Sequence, residues 1–267
     1  MIGERLGGFN ILEKINRGGM ADIYLVADPA GNEFVLRVML PEFRWRWGRI
    51  RQFNWGCKVL SQLDHPNIIH YYGKGRDQGF LYAVVEYVEG PNLRDKILRA
   101  DPLLETHRLQ VLHGMASALA QLHEHGFIHL DFKPENLIIP KNYEPKLVDF
   151  DLSAPRPSRP QKLKSLSGTL SYWAPEQILR EPVDERADIF AFGMTAYEMI
   201  TGKKPFTGST REEILEKYKD FQQHLVPPRS RVPNLPIHLE RVILKCLEKE
   251  PARRYPSMSL VVRDLHA

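Results

Sequence analysis

The change of pattern along the chain constrains its fold more than any other feature. The first ninety residues contain short β-like runs at 9–15, 23–27, 33–39 and 81–87, separated by Gly, Asn, Pro and Asp. One helical stretch, 50–60, interrupts them. From Leu93 onward the apolar spacing is mostly helical, with long stretches over 109–122 and 187–200 and short strands near 137–139 and 146–148. This pattern predicts an α+β protein in which a small β-rich part precedes a larger helical part.

Length and composition limit the classes of protein that remain. A chain of 267 residues, 43% hydrophobic and 26% charged, can bury the core of one large domain or of two joined lobes. Its net charge of +4 suits an anionic ligand such as a nucleotide but is too small for a nucleic-acid-binding protein. We find no signal peptide and no apolar run of the ~20 residues that a membrane span needs, so we predict a cytoplasmic location.

A set of polar residues in the helical part has the composition that phosphoryl transfer requires. Residues 129–136 read His-Leu-Asp-Phe-Lys-Pro-Glu-Asn, and 149–151 read Asp-Phe-Asp. Phosphoryl transfer to a hydroxyl uses an Asp that accepts the proton, a Lys beside the moving phosphoryl, and an Asn and a second Asp that hold Mg²⁺. Asp131, Lys133, Asn136 and Asp149 match these roles in order.

Further motifs follow one another in the order found in protein kinases. They are a glycine-rich stretch at 15–23, Phe-Val-Leu-Arg at 34–37, His-Pro-Asn-Ile at 65–68, Glu-Tyr-Val at 86–88, Gly-Thr at 168–169, Ala-Pro-Glu at 174–176 and Asp-Ile-Phe-Ala-Phe-Gly at 188–193. Together they resemble the protein kinase family, most closely the bacterial Ser/Thr kinases. The resemblance covers nearly the whole chain. It implies a single two-lobed kinase-like domain over 1–267, with an N-lobe at 9–88, a hinge at 86–88 and a C-lobe at 89–267.

The resemblance also implies ATP and Mg²⁺ as cofactors and a role for each matched residue. Asp131 would orient and deprotonate a Ser or Thr hydroxyl beside Lys133, and Asn136 and Asp149 would bind the metal. A protein substrate or partner is implied as well. Glu176 and Arg254 would form a buried structural ion pair. The residues implied to contact ATP are Ile15, Gly18, Ile23, Val35, Arg37, Glu86, Val88, Ile138 and Asp149.

Positions 37, 56 and 151 are among those that depart from the family pattern. Arg37 replaces the strand lysine that reaches the ATP phosphates, and a planar guanidinium is not equivalent to that point charge. The C-helix glutamate that should hold the lysine falls on Gly56, nine residues before His65, and no acidic residue occurs in 50–60. In the metal-binding triplet, residues 149–151, Asp151 replaces the glycine with which the family's triplet ends.

These departures leave two functions open. The first is a catalytically impaired pseudokinase that binds ATP–Mg²⁺ and acts by binding or allostery. The alternative is a slow or unconventional Ser/Thr kinase that uses Arg37, or a cation of the glycine loop, in place of the lysine. If the lost phosphate clamp is the whole defect, Arg37→Lys together with Gly56→Glu should restore phosphotransfer.

The segment 43–51, Phe-Arg-Trp-Arg-Trp-Gly-Arg-Ile-Arg, is unusually rich in Trp and Arg. We call it the Trp/Arg segment. In one interpretation Trp45 and Trp47 pack on the small lobe while the Arg side chains are solvated. In the other the segment is a docking surface for a partner protein or a second copy of the chain, because Trp and Arg are enriched in binding hot spots.

Overall fold

The computed structural model describes residues 2–163, 168–208 and 210–266. The chain forms two compact units. The smaller unit runs to Glu89 and includes residues 149–151, and the larger unit comprises 90–148 and the residues from Leu152 onward. The smaller unit is mainly antiparallel sheet and the larger unit mainly helix, so the predicted α+β class is confirmed. No helix in these ranges is long and apolar enough to cross a membrane.

The smaller unit is a six-stranded antiparallel sheet with one helix. The strand order is β1-β2-β3-β4-β6-β5. All four predicted strands are present. The sequence does not predict β1, which is only two residues long. It does not predict β5 either, because Tyr-Tyr-Gly-Lys-Gly-Arg-Asp is a half-exposed edge strand without an apolar face. The elements are β1 (Arg5–Leu6), β2 (Phe9–Arg17), β3 (Ala21–Ala27), β4 (Glu33–Met39), a 3₁₀ turn (Pro41–Phe43), α1 (Trp47–Leu60), β5 (Tyr71–Asp77) and β6 (Phe80–Glu86).

The two faces of this sheet bury different clusters. One face packs Leu6, Ile11, Tyr24, Val26, Leu36, Val38, Tyr82 and Val84 together. The other face packs Ala21, Met39 and Ala83 against Phe53 and Cys57 of α1. Because side chains alternate along a strand, Val35 and Arg37 lie on the same face of β4 as Met39. The sheet therefore directs both predicted ligand residues to the side that carries α1.

The larger unit is built around α4 and α6, the two long helices that the sequence predicts. Helix α6 is buried over almost its whole length and ends at Gly202 in a left-handed conformation, φ 68°. The helices are α2 (Leu93–Leu98), α3 (Leu103–Thr106), α4 (Arg108–Glu124), α5 (Pro175–Leu179), α6 (Arg186–Thr201), α7 (Arg211–Lys219), α8 (Phe221–His224), α9 (Ile237–Cys246) and α10 (Met258–Asp264), with 3₁₀ turns at Pro134–Asn136, Leu170–Tyr172, Pro228–Ser230 and Pro251–Arg253.

Two short antiparallel pairs of strands frame the polar segment 129–136. Strand β7 (Phe127–Ile128) pairs with β10 (Ala154–Pro155), and β8 (Leu137–Ile138) pairs with β9 (Lys146–Leu147). The segment thus begins directly after one strand and ends directly before another. Its polar side chains are held on a loop whose two ends are fixed.

The predicted ion pair between Glu176 and Arg254 is present in the larger unit. Both guanidinium Nη atoms lie 2.7 Å from the two carboxylate oxygens, and Arg254 has no exposed side-chain surface. Arg254 also donates to the carbonyl oxygens of Arg186, Glu248 and Lys249 at 2.8–2.9 Å. These bonds connect α5, the start of α6 and the segment after α9.

Candidate active site

The loop that carries Asp131 is held by a buried carboxylate of α6. Asp188 accepts hydrogen bonds from the backbone N–H of His129 at 2.7 Å and of Leu130 at 2.8 Å, and from His123 Nε2 at 2.8 Å. Burial alone would raise the pKa of Asp188, but His123 and the backbone donor lower it below its usual value. Leu130 has φ 65°, a conformation costing roughly 1–2 kcal/mol outside glycine. The charged Asp188 stabilises that turn.

Asp131 lies at the centre of a compact set of polar contacts. Its Oδ2 accepts from Lys133 Nζ at 2.7 Å, and its Oδ1 accepts from the backbone N–H of Thr169 at 2.9 Å. Lys133 Nζ also donates to Thr169 Oγ1 at 2.7 Å. Gly168 has φ 123°, and a Cβ there would stand 3.0 Å from Asp131 Oδ1. Glycine is needed at 168 both for its conformation and for this close approach.

Asn136 and Ile138 follow on the 3₁₀ turn and on β8. The Asn136 Nδ2 donates to the backbone oxygen of Asp131 at 2.9 Å and lies 3.3 Å from its Oδ2. The Asn136 carbonyl accepts from the N–H of Val148, the residue before Asp149, at 2.9 Å. The larger unit therefore brings together Asp131, Lys133 and Asn136, three of the predicted site residues, and places Ile138 beside them on the chain.

In the smaller unit, β2 and β3 form the glycine-rich hairpin. The N–H of Gly18 donates to the carbonyl of Ala21 at 2.9 Å, and a Cβ on Gly18 would come within 3.3 Å of that same oxygen. Ile15 lies at a β-bulge and is 46% exposed. Ile23 is paired with Arg37 across β3 and β4. Ile23, Val35 and Arg37 thus share one face of the sheet.

The predicted hinge residues lie at the end of β6. The N–H of Glu86 donates to His70 O at 2.9 Å, and the N–H of His70 donates to Glu86 Oε2 at 3.1 Å. Because the Glu86 N–H already donates to His70 O, the Glu86 backbone could bind adenine only by accepting a hydrogen bond at its carbonyl oxygen. Val88 lies two residues beyond the strand.

Arg37 contacts two carboxylates of the segment 149–151. Its Nη2 lies 2.8 Å from Asp151 Oδ2 and 3.3 Å from Asp149 Oδ1, and its Nη1 lies 3.4 Å from Asp151 Oδ1. The guanidinium carbon is 5.7 Å from the ring centroid of Phe53 on α1. Burial alone would lower the pKa of Arg37, but the charges of Asp151 and Asp149 raise it above its usual value. Arg37 is therefore a permanent cation.

The turn at 149–151 presents two carboxylates in different environments. Asp149 has φ 65°, and its Oδ1 lies 3.4 Å from the N–H of Asp151, an arrangement by which Asp stabilises tight turns. The side chain of Asp149 is 45% exposed, whereas that of Asp151 is 6% exposed. Burial raises the pKa of Asp151 to about 6 against the opposing effect of Arg37. Asp149 is the carboxylate that a solvated cation can reach.

Gly56 lies on the buried side of α1, next to Asp151. A Cβ at this position would overlap Asp151 Oδ1 and stand 3.0 Å from Asp151 Cα. Glycine inside a helix costs about 1 kcal/mol relative to alanine, and the close approach of Asp151 explains why it is present here. That Arg37→Lys with Gly56→Glu restores phosphotransfer stays a prediction, but the new side chain would have to displace Asp151.

Two contributors to the site do not stand out in the sequence. By sequence alone, Asp151 is only a lost glycine and Thr169 only part of a motif. The contact between Arg37 and Asp151 joins residues 114 positions apart, so no local pattern reveals it. The available signal was the joint occurrence of a changed cation at 37, an added carboxylate at 151 and a missing side chain at 56.

The Trp/Arg segment does not bury its two indole rings. Trp45 and Trp47 are each 79% exposed. The interpretation in which both rings pack on the smaller unit is therefore wrong. The guanidinium of Arg44 lies 5.3 Å from the Trp45 ring centroid, and those of Arg46 and Arg49 lie 5.8 and 5.4 Å from the ring of Phe43. The segment presents aromatic rings and cations side by side on the surface.

Comparison with known proteins identifies the family that this fold and site define. The protein kinase domain model matches residues 9–265, so the chain belongs to the protein kinase family. ATP and Mg²⁺, the predicted cofactors, are those of this family.

The chain is similar to several bacterial proteins that are named serine/threonine-protein kinases. The chain is 31% identical over 268 residues to the serine/threonine-protein kinase PrkC of Bacillus subtilis, and 30% identical over 268 residues to the probable serine/threonine-protein kinase CPE1738 of Clostridium perfringens. It is 29% identical over 265 residues to the serine/threonine-protein kinase PknB of Mycobacterium tuberculosis. These matches cover 99%, 99% and 96% of this chain but only 41%, 39% and 42% of the respective relatives. The chain thus spans about two fifths of their length.

Proposed function

We propose that this chain is an ATP-dependent Ser/Thr protein kinase domain in which Arg37 takes the place of the strand lysine. The observation that carries the proposal is the set formed by Asp131, Lys133, Thr169 and Asn136, whose mutual contacts of 2.7–3.3 Å are complete within the larger unit. A solvated loop carboxylate would not require a donor from a second segment, such as the Thr169 N–H. Lys133 two residues after Asp131 is typical of kinases that act on Ser or Thr.

In this mechanism Asp131 accepts the proton of the substrate hydroxyl. A carboxylate has about four lone-pair sites, so the bonds from Lys133 and Thr169 orient Asp131 and still leave it able to accept a proton. The hydroxyl oxygen bonds to the γ-phosphorus as the bond between that phosphorus and the β,γ-bridging oxygen breaks, and ADP leaves. Lys133 supplies positive charge beside the reacting oxygen.

The proposed metal ligands are the side-chain amide oxygen of Asn136, Oδ1, and the Asp149 carboxylate. The Asn136 amide nitrogen donates to Asp131, which makes the oxygen the end that can bind a cation. Asp149 is nearly half exposed, and both groups are hard oxygen donors of the kind Mg²⁺ prefers. Mg²⁺ would neutralise charge on the β- and γ-phosphates. The adenine contacts would come from Ile15, Ile23, Val35, Ile138, the Glu86 carbonyl and the Val88 N–H.

A second candidate function is the pseudokinase, which binds ATP–Mg²⁺ without efficient transfer. The contact of 3.3 Å between Arg37 Nη2 and Asp149 Oδ1 favours it, because that cation competes with Mg²⁺ for the same carboxylate. Incubation of the purified chain with radiolabelled ATP, Mg²⁺ and a basic protein acceptor separates the two. Label recovered on Ser or Thr supports the kinase. Stoichiometric nucleotide binding with no label transferred supports the pseudokinase.

Nucleotide binding is expected to depend strongly on Mg²⁺. Asp149 and Asn136 are the proposed metal ligands, whereas Arg37, the cation that stands in for the lysine, is already paired with Asp151 and Asp149. ADP or ATP with Mg²⁺ should therefore raise the Tm of the chain, with a free-energy gain that follows RT ln(1 + [L]/Kd). The nucleotides with a chelator should give little shift. Equal shifts with and without the metal, or none at millimolar nucleotide, would contradict the proposed ligand set.

We also propose that the Trp/Arg segment joins two copies of the chain. A symmetric interface must be self-complementary, and this segment carries both the rings and the cations of a cation–π contact. Trp45→Ala with Trp47→Ala is expected to abolish self-association, measured by light scattering. At dilutions where the unmodified chain is monomeric, it should leave the Tm unchanged because both rings are exposed. The matched control is Tyr72→Ala, a 55% exposed aromatic residue elsewhere in the same unit. A monomeric unmodified chain at high concentration would exclude this interface.

A further inference from the structure

The forked contact between Arg37 and Asp151 joins two positions that both depart from the kinase pattern. The family has Lys at the strand position and Gly at the end of the triplet. Here two nitrogens of Arg37 face two oxygens of Asp151, at 2.8 and 3.4 Å. Asp151 is 6% exposed, and a buried carboxylate is tolerated when it is paired with a cation. The planar guanidinium fits this two-pronged contact, which an ammonium group does not reproduce.

A third departure makes the contact possible. Gly56 stands where the family places the glutamate that pairs with the lysine, and any Cβ at 56 would overlap the Asp151 carboxylate. The space left by the missing side chain is the space that Asp151 occupies. The three departures are therefore mutually dependent. The carboxylate stands at position 151 and not at position 56 of α1, and the cation at 37 is an Arg that can pair with it.

The arrangement also determines how strongly Arg37 contacts Asp149. Arg37 Nη2 lies 2.8 Å from Asp151 but 3.3 Å from Asp149. With Asp151 removed, Asp149 would be the remaining carboxylate contact of this buried cation, and the two would pair more closely. That pairing would occupy a carboxylate that we propose as a Mg²⁺ ligand.

We propose that Asp151 is a positioning residue of the nucleotide site, which holds Arg37 toward the nucleotide phosphates and away from Asp149, and that Gly56 supplies the space it needs. This inference rests on the proposed nucleotide binding. It assigns to Asp151 the role that a C-helix glutamate has in other kinases. The cation-orienting pair of this chain is thus rebuilt from different positions.

Calorimetric titration of the purified chain with ADP at several Mg²⁺ concentrations tests the role of Asp151. Asp151→Asn is expected to raise the Kd for ADP with Mg²⁺ by roughly 10- to 100-fold, the range for loss of one charge-assisted contact, and to raise the Mg²⁺ concentration needed for half-maximal binding. Arg37→Met should have a similar effect on the Kd. The double variant should bind no more weakly than Arg37→Met, because the two residues act as one unit.

The matched control is Asp77→Asn. Asp77 is a carboxylate of the same unit that accepts the N–H of Gly7 at 2.8 Å, and its loss should leave the Kd and the Mg²⁺ requirement unchanged. An Asp151→Asn variant that binds ADP and Mg²⁺ like the unmodified chain would overturn the inference. The inference would also be overturned if the increases in Kd caused by Arg37→Met and by Asp151→Asn multiplied in the double variant.

The need for space at Gly56 is tested by asking whether a second substitution restores the Tm that Gly56→Ala lowers. Gly56→Ala is expected to lower the Tm and weaken ADP binding, and the added change Asp151→Gly should recover the Tm, because the obstructing carboxylate is gone. Recovery of nucleotide affinity should require the full exchange, Arg37→Lys with Gly56→Glu and Asp151→Gly. If Gly56→Ala lowered the Tm equally whether position 151 held Asp or Gly, the steric coupling between the two positions would be refuted.

These measurements separate the inference from the proposed function. Phosphotransfer absent from every variant, with ADP affinity still dependent on Asp151, would refute the kinase proposal and support the positioning role. Phosphotransfer that is present but indifferent to Asp151→Asn, in both kcat and KM for ATP, would support the kinase and refute the positioning role. If the chain bound no nucleotide, the proposed function and the positioning role would both fail, and the Tm rescue would still decide whether Gly56 accommodates Asp151.

Discussion

Replacing Asp131 with Asn is expected to lower the rate of phosphotransfer by about 10²- to 10⁴-fold, the range for loss of a general base. Asn is nearly isosteric and still accepts the hydrogen bond that Thr169 N–H donates at 2.9 Å, so the loop should keep its shape. What is lost is the ability to take a proton, together with the negative charge that faces Lys133. The rate should be measured with radiolabelled ATP at saturating Mg²⁺.

The effect should fall on kcat and leave nucleotide affinity almost unchanged, because Asp131 is assigned to the hydroxyl substrate. Asp101→Asn is a matched control. Asp101 is paired with Lys96 at 2.6 Å, much as Asp131 is paired with Lys133, but it lies in the segment between α2 and α3. Its replacement should leave the rate of transfer as it was. Undiminished transfer by the Asp131→Asn chain would mean that another group accepts the proton.

Much of this architecture could be predicted because local patterns encode it. Strands β2, β3, β4 and β6 of the smaller unit and helices α4 and α6 follow from apolar spacing, and the loop 129–136 follows from a motif whose members are close in sequence. Strand β5 could not be predicted in the same way. Its partner β6 supplies the apolar side chains, and β5 itself reads as a polar, glycine-containing segment.

The role of Asp151 shows a different limit of sequence reasoning. A motif comparison scores each position separately, so Arg37, Gly56 and Asp151 counted as three losses. In three dimensions they form one arrangement, in which the guanidinium of Arg37 reaches the carboxylate that Gly56 makes room for. Whether a substitution disables a site depends on what its new neighbours are, and those neighbours come from segments that no local pattern joins.

Replacing Glu176 with Gln is expected to destabilise the fold by about 3–5 kcal/mol, the range for breaking a buried ion pair by removing one partner. Arg254 has no exposed side-chain surface, so its charge would be left in the interior with only neutral acceptors, the new amide oxygen and three backbone carbonyls. Those carbonyls come from the start of α6 and the segment after α9, so disorder at this point should spread to both. Urea unfolding followed by circular dichroism gives the free energy of unfolding.

The double variant Glu176→Met with Arg254→Met should be more stable than either single replacement, because it removes both charges and keeps most of the volume. The control for loss of an acidic side chain is Glu216→Gln, which breaks an exposed pair with Lys219 at 2.8 Å and should leave the unfolding curve where it was. A Glu176→Gln chain as stable as the unmodified one would mean that neutral oxygens, those of the three backbone carbonyls and the new amide, suffice to stabilise Arg254. The pair would then orient the segment around α5 without contributing to the stability of the larger unit.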